Sequence, residues 1–140
     1  MMIAKDLMQV EVITVQDDTA LEDVLDLLMQ EHISGAPVVD REGFLVGVIS
    51  QVDVFFGGRT RPGLNDGGGE RDPLTRVKDV MTSPPICAAE DTPVHDMAEM
   101  MCKLHIHRLP VVKRGRLAGM VSSIDICRAM CHNSPQAEAV

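Results

Sequence analysis

The hydrophobic positions along the chain predict two amphipathic helices. Within residues 21–28 and again within residues 94–101, apolar side chains recur at i, i+3, i+4 and i+7, which places them on one helix face. Thr19 and Thr92 precede these stretches, and each is predicted to be the N-cap of its helix. Pro93 is predicted at the first helical position of the second helix, where its missing N–H costs nothing.

Runs of aliphatic and β-branched residues on either side of each stripe predict strands. Residues 11–15 and 86–88 form a short strand before each helix. Residues 36–39 and 44–49 are separated by a turn that ends at Gly43, which is typical of a two-stranded hairpin. A second helix follows the hairpin, so the predicted unit is β-α-β-β-α.

This unit occurs twice in the chain. When the sequence is shifted by 73 positions, His32 aligns with His105, and residues 37–39 align with the identical residues 110–112. One unit is too small to cover its own sheet. We therefore predict an α/β fold of the α+β type, in which two β-α-β-β-α repeats pack through their sheets about a pseudo-twofold axis.

The duplication also predicts the domain organisation. Residues 1–56 form the first repeat and residues 74–132 form the second. Between them, residues 57–73 contain six glycines and two prolines, which predicts a flexible linker. Residues 133–140 are predicted to be a C-terminal tail.

Charge and hydropathy exclude several classes of function. The chain has 13 basic and 21 acidic residues, a formal charge of −8, which opposes binding to nucleic-acid phosphates. The longest nearly apolar run, residues 44–49, is much shorter than a membrane-spanning helix, and residues 1–8 lack the layout of a signal peptide. With its four cysteines expected to be reduced thiols, the chain is predicted to be cytoplasmic, without nucleic-acid or membrane partners.

One polar motif recurs at the same place in both repeats. The pattern Gly-apolar-apolar-Ser-x-x-Asp ends in Ser50 and Asp53 in the first repeat, and in Ser122 and Asp125 in the second. A serine N-cap with an acidic residue three positions later stabilises any helix start. The same carboxylate could instead accept hydrogen bonds from the vicinal hydroxyls of a ribose. The motif alone leaves both interpretations open.

Only the second repeat has candidate phosphate-binding residues at the start of its hairpin. His107 and Arg108 open the hairpin of the second repeat, and an arginine guanidinium can form a bidentate contact with phosphate oxygens. The corresponding residues of the first repeat are Ser34 and Gly35. An anionic ligand is therefore expected at the second repeat, and occupation of one site or of both is compatible with the sequence.

These repeated motifs resemble the tandem cystathionine-β-synthase domain pair, the CBS module. The resemblance is carried by SGAPVVD and HRLPVVK and by GVISQVD and GMVSSID, and it covers about residues 3–56 and 75–131. It implies a disc-like regulatory module whose clefts bind an adenosyl ligand, namely AMP, ADP, ATP or S-adenosylmethionine. It also implies a homodimer and a separate regulated protein as partners.

The resemblance further implies which residues bind the ligand. The ribose would be held by Ser50, Asp53, Ser122 and Asp125. The phosphate would be bound by His107 and Arg108. The adenine would be flanked by Ile13, Thr14, Val15, Ile86 and Cys87.

The sequence gives less support to other classes of function. The sequence contains no Ser-His-Asp order, Walker loop or GxGxxG pattern, so we expect neither an enzyme nor a catalytic cofactor. The main alternative is a ligand-free dimerisation or protein-interaction module, with a methionine stripe at Met97, Met100 and Met101 as its interface.

A structural metal site is a further alternative, although no metal is predicted. One candidate set is Cys102, His105 and His107, and another is Cys127, Cys131 and His132. Neither set provides the four ligands of a tetrahedral zinc site.

Overall fold

A computed structural model describes residues 1–57 and 72–132 of the chain. Most of the predicted linker, residues 58–71, and the whole predicted tail, residues 133–140, lie outside the described residues. The elements, in chain order, are α1 (Ala4–Leu7), β1 (Val15–Gln16), α2 (Leu21–Gln30), β2 (Gly35–Val39), β3 (Leu45–Ser50), α3 (Gln51–Phe56), α4 (Val77–Val80), β4 (Ala88–Ala89), α5 (Val94–Leu104), β5 (Arg108–Lys113), β6 (Arg116–Ser122) and α6 (Ser123–His132).

The strands form two three-stranded sheets with the same topology. In the sheet β1-β2-β3, β1 is parallel to β2 and β2 is antiparallel to β3, and the sheet β4-β5-β6 repeats this arrangement. Gly43 and Gly115 stand in the hairpin turns with φ of 89° and 81°, a conformation that glycine adopts without steric cost. The predicted α/β class and both predicted hairpins are confirmed.

The described residues form two compact units, each with its own core. Unit 1 comprises residues 1–12 and 86–132, and unit 2 comprises residues 13–57 and 72–85. Helix α1 therefore packs with elements of the second repeat, and helix α4 packs with elements of the first. In both helices an aspartate three residues after the N-cap accepts a hydrogen bond from the N-cap N–H, Asp6 from Ile3 and Asp79 from Arg76.

The first strand of each repeat is shorter than predicted. The sequence predicts strands over residues 11–15 and 86–88, whereas the parallel pairing involves only Val15–Gln16 and Ala88–Ala89. Gln9, which lies in unit 1 just ahead of the predicted strand 11–15, pairs instead with strand β6. The N–H of Gln9 donates to the carbonyl of Met120, and the Met120 N–H donates back to Gln9, both at 2.9 Å.

The predicted N-cap of α2 is wrong. Ala20, not Thr19, occupies the cap position, and it provides no side-chain hydrogen bond. Instead the N–H of Leu21 donates to the carbonyl of Thr75 at 3.2 Å, so a backbone group from a distant segment satisfies the helix start.

In unit 1, the start of α5 is likewise satisfied by a backbone group from a distant segment. Pro93 is the N-cap and not the first helical residue, and the Val94 N–H donates to the carbonyl of Met2 at 3.0 Å. The Thr92 hydroxyl accepts a hydrogen bond from the Ala89 N–H, at 2.9 Å, and does not cap the helix. Local sequence gave no indication of these distant backbone partners.

The apolar helix faces are buried in the cores of their own units. Leu21, Val24 and Leu28 belong to the core of unit 2, and Met97 and Met101 belong to the core of unit 1. The buried faces agree with the predicted stripes. Of the three methionines of the alternative dimer interface, Met97 and Met101 are buried in this core and Met100 is partly buried against it.

Candidate functional site

The Ser-x-x-Asp motif is a reciprocal capping box in both units. The hydroxyl of Ser50 accepts a hydrogen bond from the Asp53 N–H at 3.1 Å, and Asp53 Oδ2 accepts one from the Ser50 N–H at 3.0 Å. Ser122 and Asp125 form the same pair at 3.1 and 2.9 Å. The cap therefore uses one oxygen of each carboxylate and leaves the other for a different donor.

The second carboxylate oxygen has a side-chain hydrogen-bond donor in unit 1 but none among the described residues of unit 2. In unit 1, Asp125 Oδ1 accepts a hydrogen bond from Gln9 Nε2 at 3.2 Å, and Asp125 is only 9% exposed. In unit 2, Asp53 is partly buried, and its Oδ1 has no hydrogen-bond donor among the described residues. The two copies of the motif are thus chemically distinct.

In unit 1, the strand pairing brings the backbone of His107 and Arg108 next to the capping box. Arg108 is the direct cross-strand partner of Ser122, and the Ser123 N–H donates to the carbonyl of His107 at 2.9 Å. Both His107 and Arg108 are exposed. In the described part of the chain, no carboxylate lies within ion-pair distance of Arg108.

Unit 2 has no cationic side chain at the matching strand position. Gly35 is the cross-strand partner of Ser50, and a Cβ atom at residue 35 would lie 2.8 Å from the carbonyl oxygen of Ile49. The backbone geometry therefore favours glycine where unit 1 has Arg108. The preceding residue, Ser34, is exposed and uncharged.

Each unit also contains one of the segments predicted to flank adenine. Ile13 and Thr14 are exposed in unit 2, but Val15 is only 4% exposed and its side chain belongs to the core, so only its backbone is available to a ligand. Ile86 is exposed and Cys87 is partly buried in unit 1. The fold therefore assigns the predicted site residues to two sets, one in each unit.

The formal charges of the units differ strongly. Among the described residues, unit 2 has 3 basic and 11 acidic side chains, a formal charge of −8, whereas unit 1 has 7 of each and is neutral. Electrostatic attraction of a phosphate group therefore favours unit 1.

Sequence reasoning missed Gln9. Nothing local connects residue 9 with residue 125, and the only available signal was that the repeat alignment places Gln9 opposite Thr82, a difference between the two copies.

Neither a metal site nor a membrane span is found in the part of the chain that the structure describes. No three His, Cys, Asp or Glu side chains in residues 1–57 and 72–132 are close enough to hold a metal ion together. None of the helices in these ranges has both the length and the apolar character needed to cross a bilayer.

The family model for the CBS domain matches residues 4–56 and 77–132. An uncharacterized protein of Methanocaldococcus jannaschii, MJ1426, is 34% identical across 92% of this chain and 91% of its own length. Inosine-5′-monophosphate dehydrogenase of the same organism is 34% identical across 84% of this chain. The chain spans only 21% of the length of that enzyme.

Several solved structures share the fold over nearly the whole chain. CBSX2 of Arabidopsis thaliana, in complex with AMP, has a TM-score of 0.76 and 26% identity, covering 93% of this chain and 96% of its own. The CBS domain pair of MJ0100, with 5′-methylthioadenosine and S-adenosyl-L-methionine, has a TM-score of 0.72 and 28% identity, covering 95% and 98%. The cytosolic domain of the Mg²⁺ channel MgtE, with ATP, has a TM-score of 0.73 and 29% identity, covering 91% and 48%.

Proposed function

The chain belongs to the CBS domain family, and from this premise we propose that it is a regulatory module that senses an adenosyl nucleotide. The similar structures hold AMP, ATP, or S-adenosylmethionine with methylthioadenosine, and these ligands share an adenosyl group. AMP, ADP, ATP and S-adenosylmethionine are therefore the candidate ligands for this chain.

The observation that carries the proposal is the pairing of Arg108 with Ser122 across the β5–β6 hairpin. This pairing puts Arg108, which has no acidic partner among the described residues, at the end of β6 where Ser122 and Asp125 form the capping box of α6. A carboxylate that accepts the ribose hydroxyls repels a phosphate, so the phosphate must be bound by a separate cation nearby. Arg108 provides that cation, and His107 adds a second donor.

In this proposal, six residues of unit 1 form one ligand site. The ribose contacts Ser122 and Asp125, the phosphate contacts His107 and Arg108, and the adenine lies against Ile86 and Cys87. Unit 2 offers a second site from Ser50, Asp53, Ile13, Thr14 and the backbone of Val15. Because this second set lacks a cation and belongs to a unit whose described residues carry a formal charge of −8, it binds phosphorylated ligands more weakly.

We further propose that the chain is not an enzyme and that it acts by changing the state of a separate protein. The residues assigned to the ligand are groups that bind and do not form a nucleophile with a positioned base. Its four cysteines are free, as in a reducing compartment such as the cytoplasm.

A homodimer is the second part of the proposal. On α3, Val52 and Phe56 are 64% and 58% exposed, and Met29 on the neighbouring helix α2 is also exposed. A second copy of the chain is the expected occupant of this apolar surface. If no adenosyl ligand binds, this surface makes a ligand-free interaction module the better interpretation.

The test is calorimetric titration of the purified chain with AMP and 2′-deoxy-AMP, supported by thermal shifts with ADP, ATP and S-adenosylmethionine. We expect micromolar binding of at least one ribose ligand. The 2′-deoxy compound should bind about tenfold more weakly, because it loses one hydrogen bond to a carboxylate.

Two results would overturn the proposal. If no adenosyl ligand bound below about 1 mM, an affinity of only ~4 kcal/mol, the sensing role would be rejected. If the ribose and deoxyribose ligands bound equally, the carboxylates would act only as helix caps. Asp125→Asn keeps the side-chain shape. It should weaken binding of the ribose ligand while it retains much of the helix cap and changes the unfolding temperature little.

A further inference from the structure

The side chain of Gln9 contacts the carboxylate that the proposed function assigns to the ribose. We propose that Gln9 is a positioning residue for Asp125, which fixes the carboxylate so that its remaining acceptor sites face the two hydroxyls of the ligand. This inference rests on the proposed function, because it concerns the ligand site of unit 1.

The backbone of Gln9 is held firmly against strand β6. Gln9 and Met120 exchange two backbone hydrogen bonds of 2.9 Å. This close approach requires the glycine at residue 119, since a Cβ atom there would lie 2.8 Å from the Gln9 carbonyl oxygen. With its main chain fixed, the amide of Gln9 reaches Asp125 Oδ1 at 3.2 Å.

Two donors on different oxygens fix the orientation of the Asp125 carboxylate. The Ser122 N–H bonds to Oδ2 and the Gln9 amide bonds to Oδ1. An ionised carboxylate offers about four acceptor sites, so roughly two remain after these bonds. Two sites match the two vicinal hydroxyls of a ribose, and a carboxylate that cannot rotate loses less freedom when it binds them.

Unit 2 provides a natural comparison within the same chain. Thr82 exchanges backbone hydrogen bonds with Val48, as Gln9 does with Met120, but its hydroxyl makes no hydrogen bond to another described residue. Asp53 consequently has a single donor from the described residues, the Ser50 N–H. Within the described residues, the positioning device is therefore found only in unit 1, the unit that also contains His107 and Arg108.

The experiment compares the affinities of AMP and 2′-deoxy-AMP for Gln9→Met, which keeps the side-chain length and removes the amide. AMP should bind about tenfold more weakly, the effect of losing one hydrogen bond to a charged group, while 2′-deoxy-AMP should change little. The ratio of the two affinities therefore falls toward one. Thr82→Val is the matched control, and it should leave both affinities unchanged.

The possible outcomes separate the two proposals. If AMP bound the unaltered chain and Gln9→Met left the ratio unchanged, or if the variant bound AMP more tightly, the positioning role would be overturned and the sensing role would stand. A parallel loss of both affinities with a lower unfolding temperature would show a structural role only. If AMP and the other adenosyl ligands failed to bind the unaltered chain, the proposed function itself would fail.

Discussion

Gly119 lies directly against the carbonyl oxygen of Gln9, at a distance that leaves no room for a side chain. A Cβ atom at residue 119 would be 2.8 Å from that oxygen and 2.8 Å from the sulfur of Met8. Unit 2 repeats this contact, because a Cβ atom on Gly47 would lie 2.9 Å from the carbonyl oxygen of Thr82. The glycine that opens each Ser-x-x-Asp motif is therefore explained by the packing of a chain segment over the strand.

Gly119→Ala should lower the stability of the protein. The added methyl group must push residues 8 and 9 away from strand β6, and such overpacking typically costs about 1–3 kcal/mol. Urea unfolding followed by circular dichroism measures the effect. Glu22→Gln, an exposed change on α2, is the control and should stay within about 0.5 kcal/mol of the unaltered chain. Equal stability of Gly119→Ala and the control would show that the segment is not tightly packed there.

The secondary structure was predictable wherever a local pattern determines it. The stripes of α2 and α5 have helical spacing, and the hairpins combine β-branched runs with a glycine in each turn. The N-caps were not predictable in this way. The first N–H of α2 is satisfied by Thr75, more than fifty residues away, so the threonine at residue 19 is not needed as a cap.

The sequence predicts only part of the candidate site. The sequence predicts Ser122 and Asp125 because their motif recurs in both repeats, and Arg108 because the first repeat has no cation at the matching position; the hairpin pairs Arg108 with Ser122. It could not identify Gln9, because that contact depends on residues 1–12 packing within unit 1. It also could not distinguish Val15, whose side chain is buried, from its exposed neighbours.

Arg108→Gln should weaken the binding of AMP and leave the binding of adenosine almost unchanged. The variant removes the charge that is proposed to bind the phosphate, and a hydrogen bond to a charged group contributes about 1.5–3 kcal/mol. We therefore expect the AMP affinity to fall by roughly 10- to 100-fold in calorimetric titration. Adenosine lacks the phosphate, so its affinity should change by less than about threefold.

Arg114→Gln is the matched control for this experiment. Arg114 lies in the turn at the far end of strand β5, and the substitution makes the same change in charge. It should leave the AMP affinity nearly unchanged. If both variants weakened AMP binding equally, Arg108 would act through the net charge of the protein and not through a contact with the phosphate.

Ser50→Ala should destabilise unit 2 through the loss of a helix cap. The Ser50 hydroxyl accepts the hydrogen bond of the Asp53 N–H, and removing such a cap costs about 1 kcal/mol. Ser34→Ala changes an exposed serine nearby whose hydroxyl makes no hydrogen bond to another described residue, so it is the control. The urea midpoint should fall for Ser50→Ala alone, and equal midpoints would contradict the capping role.

Val52→Glu should shift the proposed homodimer toward the monomer. Val52 is 64% exposed on α3 beside Phe56, so the substitution costs little in the isolated chain but buries a charge if a second copy covers this surface. Sedimentation velocity over a range of concentrations measures the change. Gln30→Glu adds the same charge at the exposed end of α2 and is the control. If Val52→Glu remained dimeric at the lowest concentration, or if the unaltered chain were monomeric throughout, another surface or no dimer would be indicated.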